Sequence, residues 1–312
     1  MNKTAFVFPG QGAQYAGMGK EFYDNFKESR EIFQRANEAL GFDITKLCFE
    51  GPDNELSITK ITQPALLTVC LAMYEVLKET QKGSVLMGGL SLGEYSALTA
   101  AGAMDFETAV QLVYKRGNYM QNAVPLGEGG MLALLGCTED DAIAFCESIT
   151  KRYGLLEPAN FNCPGQIVAG GKSSAIDNAI DSASQYNIKR AVKLQVSAPF
   201  HTSLLKPAGD RLREDLGKIK FKKPVNNVIS NVDTTYYETS EAIAEKLRKQ
   251  VYNPVRWEAC VRKMIADGVN TFVEIGPGKT LTGFIKKIDK NVKAINIENI
   301  QGLNSYMQFA GA

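Results

Sequence analysis

The segment Gly89-Leu90-Ser91-Leu92-Gly93 matches G-x-S-x-G, a spacing suited to covalent catalysis. A serine at a sharp strand-to-helix turn projects its hydroxyl outward, and small flanking residues let the backbone turn without clashes. An apolar run, Ser84–Gly88, stands before the motif and a helix-compatible stretch, Leu92–Ala101, follows it, which is the context the motif demands. Ser91 is therefore the candidate nucleophile. The N–H of Leu92 would point where an oxyanion forms, and the helix N-terminus adds a favourable dipole. A serine at neutral pH needs a base, and His201 is the only histidine in the chain. No Asp or Glu sits beside it, so a backbone carbonyl or an amide, rather than a carboxylate, is expected to orient the ring.

A second polar residue stands out on the Phe106–Gln121 segment. Phe106, Ala109, Val110, Val113, Gly117 and Met120 share one face at helical spacing. Arg116 falls about 60° from the centre of that stripe, whereas Lys115 falls nearly opposite and should be solvated. An arginine bordering a buried face needs a partner anion, either a protein carboxylate in a structural salt bridge or a substrate. As a ligand it would fork onto a free carboxylate.

The elements that must position these residues read as α/β, strand-like runs alternating with helical patterns, with a mostly parallel sheet. Thr4–Phe8 is a strand candidate followed by a Gly-rich loop from Pro9 to Gly19. Gly102 can end the helix after Ser91, and Asp105 can cap the next. After Gly127-Glu128-Gly129-Gly130 the rhythm changes. Strands near Met131–Leu135, Leu156–Phe161, Gln166–Ala169 and Ala191–Val196 alternate with helices at Thr138–Tyr153 and Ser173–Gln185. That β-α-β-β-α-β order is ferredoxin-like. Residues 126–197 are thus expected to form a small inserted subdomain, with 1–125 and 198–312 forming the larger α/β domain. The larger unit resumes with strands at Thr271–Ile275 and Ala294–Ile297, and Gly276-Pro277-Gly278 leads into a helix from about Lys279.

Composition excludes several classes. A net charge of +1 over 312 residues gives no electrostatic footprint for nucleic acid or an anionic membrane. No apolar run comes near the roughly 20 residues that span a bilayer. The six cysteines are scattered without a C-x-x-C pair, and with one histidine they form no zinc pattern, so reduced buried thiols in a cytoplasmic protein are expected. Gly10-x-Gly12 lacks the third glycine of a dinucleotide loop, since position 15 is Tyr. A serine esterase with the same elbow and base, and a docking module that kept the fold without the chemistry, are the other readings.

The motifs together resemble the malonyl-CoA:acyl carrier protein transacylases, the standalone acyltransferases of fatty acid and polyketide synthesis. They are Phe8-Pro9-Gly10-Gln11-Gly12, Gly89-Leu90-Ser91-Leu92-Gly93-Glu94-Tyr95, Arg116-Gly117, Pro199-Phe200-His201, Gln250-Val251-Tyr252-Asn253-Pro254-Val255 and Glu274-Ile275-Gly276-Pro277-Gly278. The resemblance runs from Phe8 to about Ile288. It implies a hydrolase-like α/β domain carrying a ferredoxin-like insert, with Ser91 acylated and His201 as general base. It further implies backbone N–H groups of Gln11 and Leu92 as the oxyanion hole, Arg116 on the malonyl carboxylate, and the Gln250 carbonyl orienting His201. Malonyl-CoA and an acyl carrier protein would be the substrates, with no metal or redox cofactor. Many members carry histidine where this chain has Leu90. Phe200 resembles members that select malonyl over methylmalonyl, a bulky ring leaving less room for a branch.

Overall fold

In the computed structural model, which describes residues 3–78, 85–196 and 198–311, the chain runs through nine strands. They are β1 (Lys3–Phe8), β2 (Leu86–Gly89), β3 (Gly129–Leu135), β4 (Leu156–Cys163), β5 (Gln166–Lys172), β6 (Arg190–Lys193), β7 (Asn227–Val228), β8 (Val269–Ile275) and β9 (Lys293–Ile297). Ser84, in the expected Ser84–Gly88 strand, and Ser197, the last residue of the expected subdomain, lie outside the described residues. The parallel strands β7-β2-β1-β8-β9 form one sheet in that order. β1 lies at its centre, and Ala5, Phe6, Val7 and Phe8 are all fully buried. A strand covered on both faces needs no polar alternation, which is why it reads as an unbroken apolar run. The winding proceeds from β1 through β2 to β7, then crosses back to β8 and β9. The C-terminal ends of β1, β2, β7 and β8 therefore open on one crevice, where ligands bind in open α/β sheets.

β3–β6 make a separate antiparallel sheet in the order β4-β5-β3-β6, and its strands fall between Gly129 and Lys193. Helices Glu139–Tyr153 and Ser173–Ser182 connect β3 to β4 and β5 to β6, completing the ferredoxin-like order. Phe145, Cys146 and Ile149 from the first helix pack with Ile176 and Ala179 from the second, and with Leu132 and Leu134 of β3. Thr138 caps the first helix with a reciprocal Asp141 bond, as its type suggested. Two details differ from expectation. The second helix stops at Ser182 and tightens into a 3₁₀ turn over Ala183–Tyr186, and β6 stops at Lys193, after which Leu194 and Val196 turn toward the space between the sheets.

Between β1 and β2 stand several helices, of which Thr59–Leu77 is the longest. Nearly all its side chains are buried, so it is apolar around its whole circumference and shows no amphipathic stripe. Helix Phe106–Gln121, capped by the Asp105 carboxylate on Thr108 N–H at 2.8 Å, packs against it. Their close approach explains Gly117. A Cβ there would lie 2.6 Å from the Thr59 carbonyl oxygen and 2.8 Å from Lys60 Cα. The missing side chain lets the helix seat at the start of Thr59–Leu77, which brings Arg116 to Gln63. All six cysteines are unpaired and buried, and no helix among the described residues is long and apolar enough to cross a membrane.

The contact at Gly117 is with backbone, which cannot swing away. Gly117→Ala is expected to cost about 1–3 kcal/mol of folding stability, as overpacking does. Denaturant titration of the two proteins measures it; an unchanged midpoint would refute the close-packing account.

Candidate active site

The turn after β2 carries the candidate nucleophile in a conformation few residues adopt. Ser91 has φ 54° and ψ −100° at the start of helix Leu92–Ala100. The two glycines of the motif are sterically required. A Cβ on Gly89 would sit 2.0 Å from the Gly93 carbonyl carbon, and one on Gly93 would sit 2.0 Å from the Phe8 oxygen. Strain of this kind costs on the order of 1–3 kcal/mol and must be held by its surroundings. Asn231, just beyond β7, holds it: its Oδ1 accepts the Ser91 N–H at 2.7 Å, and its Nδ2 donates to the Gly89 carbonyl at 2.9 Å.

His201 reaches the serine from the loop after the small sheet. Its Nε2 lies 2.7 Å from Ser91 Oγ, and its Nδ1 lies 2.7 Å from the Gln250 carbonyl oxygen. A carbonyl can only accept, so Nδ1 carries the proton and the Nε2 lone pair faces the serine hydroxyl. Gln250 is the last residue of helix Glu241–Gln250, where carbonyls lack intrahelical partners and carry the negative end of the dipole. This supplies the orienting group without a carboxylate. Burial, and next the charge of Arg116, push the His201 pKa down to about 3, against the pull of the Gln250 carbonyl. The imidazole is thus neutral, with its Nε2 lone pair facing the serine hydroxyl.

Arg116 is 1% exposed and forms no ion pair with any carboxylate among the described residues. Its partners are neutral. Nη1 donates to Gln63 Oε1 at 2.8 Å, and Nη2 to Gln250 Oε1 at 2.9 Å and to Ser91 Oγ at 3.1 Å. The guanidinium lies 5.1 Å from the centre of the Tyr95 ring, and its Nε–H meets no acceptor among the described residues. The salt-bridge alternative falls instead to Lys115, which pairs with Asp215 at 2.6 Å on the outer face.

A cavity of about 400 Å³ joins these groups, and it lies between the two sheets. Gln11 and Leu92 border it beside Ser91, and neither gives its backbone N–H to an acceptor among the described residues. Met131, Asn160 and Val168 of the small sheet close the opposite side, while Leu90 and Phe200 flank the serine and histidine. The six residues singled out from the sequence (Gln11, Ser91, Leu92, Arg116, His201 and Gln250) therefore meet in one place. Sequence reasoning missed Gln63, Asn231 and Tyr237, and it gave Glu94 no role. The one signal for Asn231 was a polar pair, Ser230-Asn231, directly after an apolar strand end.

A histidine-activated serine facing a buried, unpaired cation is equipment for acyl chemistry on a group that carries its own acid. The chain belongs to the acyl transferase domain family, whose match covers residues 5–305. It is 44% identical over 308 residues to a malonyl CoA-acyl carrier protein transacylase of Bacillus subtilis, spanning 99% of this chain and 97% of that one. A transacylase structure from Clostridium perfringens superposes with a TM-score of 0.94 at 47% identity, covering 98% of this chain and 96% of that one. A type II polyketide acyl carrier protein in complex with its malonyl-transacylase matches at TM-score 0.95 and 39% identity, covering 99% and 100% of the respective chains.

The low His201 value predicts an acid liability with a definite sign. The folded value lies below the usual 6.5, so the unfolded chain takes up the proton first and folding stability falls as the pH drops from 6.5 toward about 3. His201→Gln should remove this term. Wild type should lose stability relative to the variant between about pH 7 and pH 4.5, measured by urea titration; a constant difference refutes it.

Proposed function

We propose that the chain transfers a malonyl group from coenzyme A to the phosphopantetheine thiol of an acyl carrier protein, in fatty acid or polyketide synthesis. The observation that carries this reading is Arg116, a buried guanidinium without a carboxylate partner, 3.1 Å from the nucleophile oxygen. A cation kept there is matched by a substrate that brings the anion, and the free carboxylate of malonyl accepts the fork of guanidinium N–H groups.

The roles follow. His201 Nε2 takes the Ser91 hydroxyl proton as Oγ attacks the thioester carbonyl. The N–H groups of Gln11 and Leu92 receive the oxyanion. Collapse breaks the carbon–sulfur bond, and coenzyme A leaves with the proton from His201. In the second half the carrier thiol gives its proton to His201 and attacks the malonyl-serine ester, and Ser91 Oγ recovers the proton. Each half-reaction balances with these groups and the two thiols, so the reaction calls for no metal or redox cofactor. The Gln250 carbonyl keeps Nδ1 protonated throughout, so that Nε2 alone takes up and releases the proton. Phe200 beside His201 narrows the room for a branched acyl group. We place the enzyme in the cytoplasm with both substrates, a reading that the six unpaired thiols support.

Intact-protein mass spectrometry after brief mixing with malonyl-CoA tests this. A malonyl adduct is expected on wild type and none on Ser91→Ala, with little label from acetyl-CoA. Hydrogen bonds to charged groups are worth about 1.5–3 kcal/mol each, and about 1.4 kcal/mol is tenfold, so Arg116→Ala should lower malonyl labelling roughly 10²-fold or more. Equal labelling of wild type by both donors would remove the role given to Arg116.

A further inference from the structure

Glu94 stands on the first turn of the helix that follows Ser91, and it is fully buried. It makes no salt bridge among the described residues. Three residues from two segments donate to it instead. Its Oε2 accepts from Gln250 Nε2 at 2.6 Å and from the Asn231 backbone N–H at 3.2 Å, while its Oε1 accepts from the Tyr237 hydroxyl. Two of these donors are the groups on which the site hangs. Asn231 holds the strained Ser91 turn. Gln250 presents its carbonyl to His201 and its side-chain oxygen to Arg116.

The amide of Gln250 can point only one way in this setting. Its nitrogen faces the Ser91 carbonyl at 2.8 Å and the Glu94 carboxylate, both acceptors, and its oxygen faces Arg116, a donor only. Charge-assisted hydrogen bonds are about twice as strong as neutral ones, so an ionised Glu94 grips both Gln250 and Asn231 most firmly.

We infer that Glu94, as its ionised carboxylate, is a positioning residue of the acylation step: it fixes Gln250 and Asn231 and through them His201, Arg116 and the Ser91 turn. The inference rests on the proposed function for its reaction, and it predicts a pH dependence near neutrality set by Glu94 rather than by the histidine. Burial pushes the Glu94 carboxyl up to about 7, opposed by the hydrogen bonds from Tyr237, Gln250 and Asn231 and by the charge of Arg116. The other ionisable groups around it hold one charge state near neutrality. His201 is pushed down to about 3, Tyr95 is pushed up to about 12, and Tyr237 and Cys260 are pushed well above their usual values, all chiefly by burial. Arg116 keeps its proton.

The experiment is the rate of a single malonyl transfer to Ser91, by rapid quench and intact mass, from about pH 5.5 to pH 8.5. The malonyl carboxylate, with a reference value near about 4, stays ionised across this range. Wild type should rise about eightfold along a limb with its midpoint near 7. Glu94→Gln should be about tenfold slower at the upper end and show no limb. Tyr237→Phe removes a donor that lowers the carboxyl, so its midpoint should move up by about one pH unit. A flat wild-type profile, a limb that survives in Glu94→Gln, or an unmoved midpoint in Tyr237→Phe overturns the inference alone. The last readout stands even where Glu94→Gln does not fold. Wild type unlabelled at about pH 8.5 overturns the proposed function and this inference with it.

Discussion

A guanidinium removed from water must be compensated, and the compensation given to Arg116 decides much of the surrounding architecture. A carboxylate partner would neutralise the cation in place. The site uses the oxygens of Gln63 and Gln250 and the face of Tyr95, which solvate the cation without neutralising it. Each comes from a different helix, so Thr59–Leu77, Leu92–Ala100, Phe106–Gln121 and Glu241–Gln250 must converge on one point. The absence of a side chain at Gly117 is the local condition for one of these approaches.

The same constraint explains how His201 is oriented. An aspartate at Nδ1 would bring a full negative charge close to Arg116 and pair it. The terminal carbonyl of helix Glu241–Gln250 accepts the Nδ1 proton with only a partial charge. It fixes the ring and leaves Arg116 without a full counter-charge. The parallel sheet makes this convergence possible, because the loops after β1, β2, β7 and β8 leave the same edge and meet the His201 loop across the cavity.

What could be read from the sequence divides along the range of the interactions. The elbow was legible because five successive residues must satisfy one turn, and the clashes at Gly89 and Gly93 leave glycine as the only choice. The small antiparallel unit was legible because its strands and helices switch period within short stretches. Helix Thr59–Leu77 gave no stripe to read, since it is covered on all sides. Gln250 contributes to His201 through its backbone, which any residue type could supply, so composition carries no trace of it apart from the family resemblance. Asn231 and Tyr237 act on Ser91 and Glu94 from more than a hundred residues away, and only the fold reveals those pairings.

The buried pair of Glu94 and Arg116 shows what the intervening amide achieves. In direct contact the two charges would satisfy each other and the site would be inert toward acids. With Gln250 between them, the carboxylate orders the amide and the amide oxygen meets the guanidinium, so opposite charges share one hydrogen-bonded chain without joining. The amide has a fixed polarity because each end faces a group that can play only one part. A glutamate at position 250 would set an anion against Arg116 and repel Glu94, and a leucine would take one hydrogen-bond partner from each of the two buried charges. Glutamine is the side chain that meets both demands there while its own carbonyl serves the histidine.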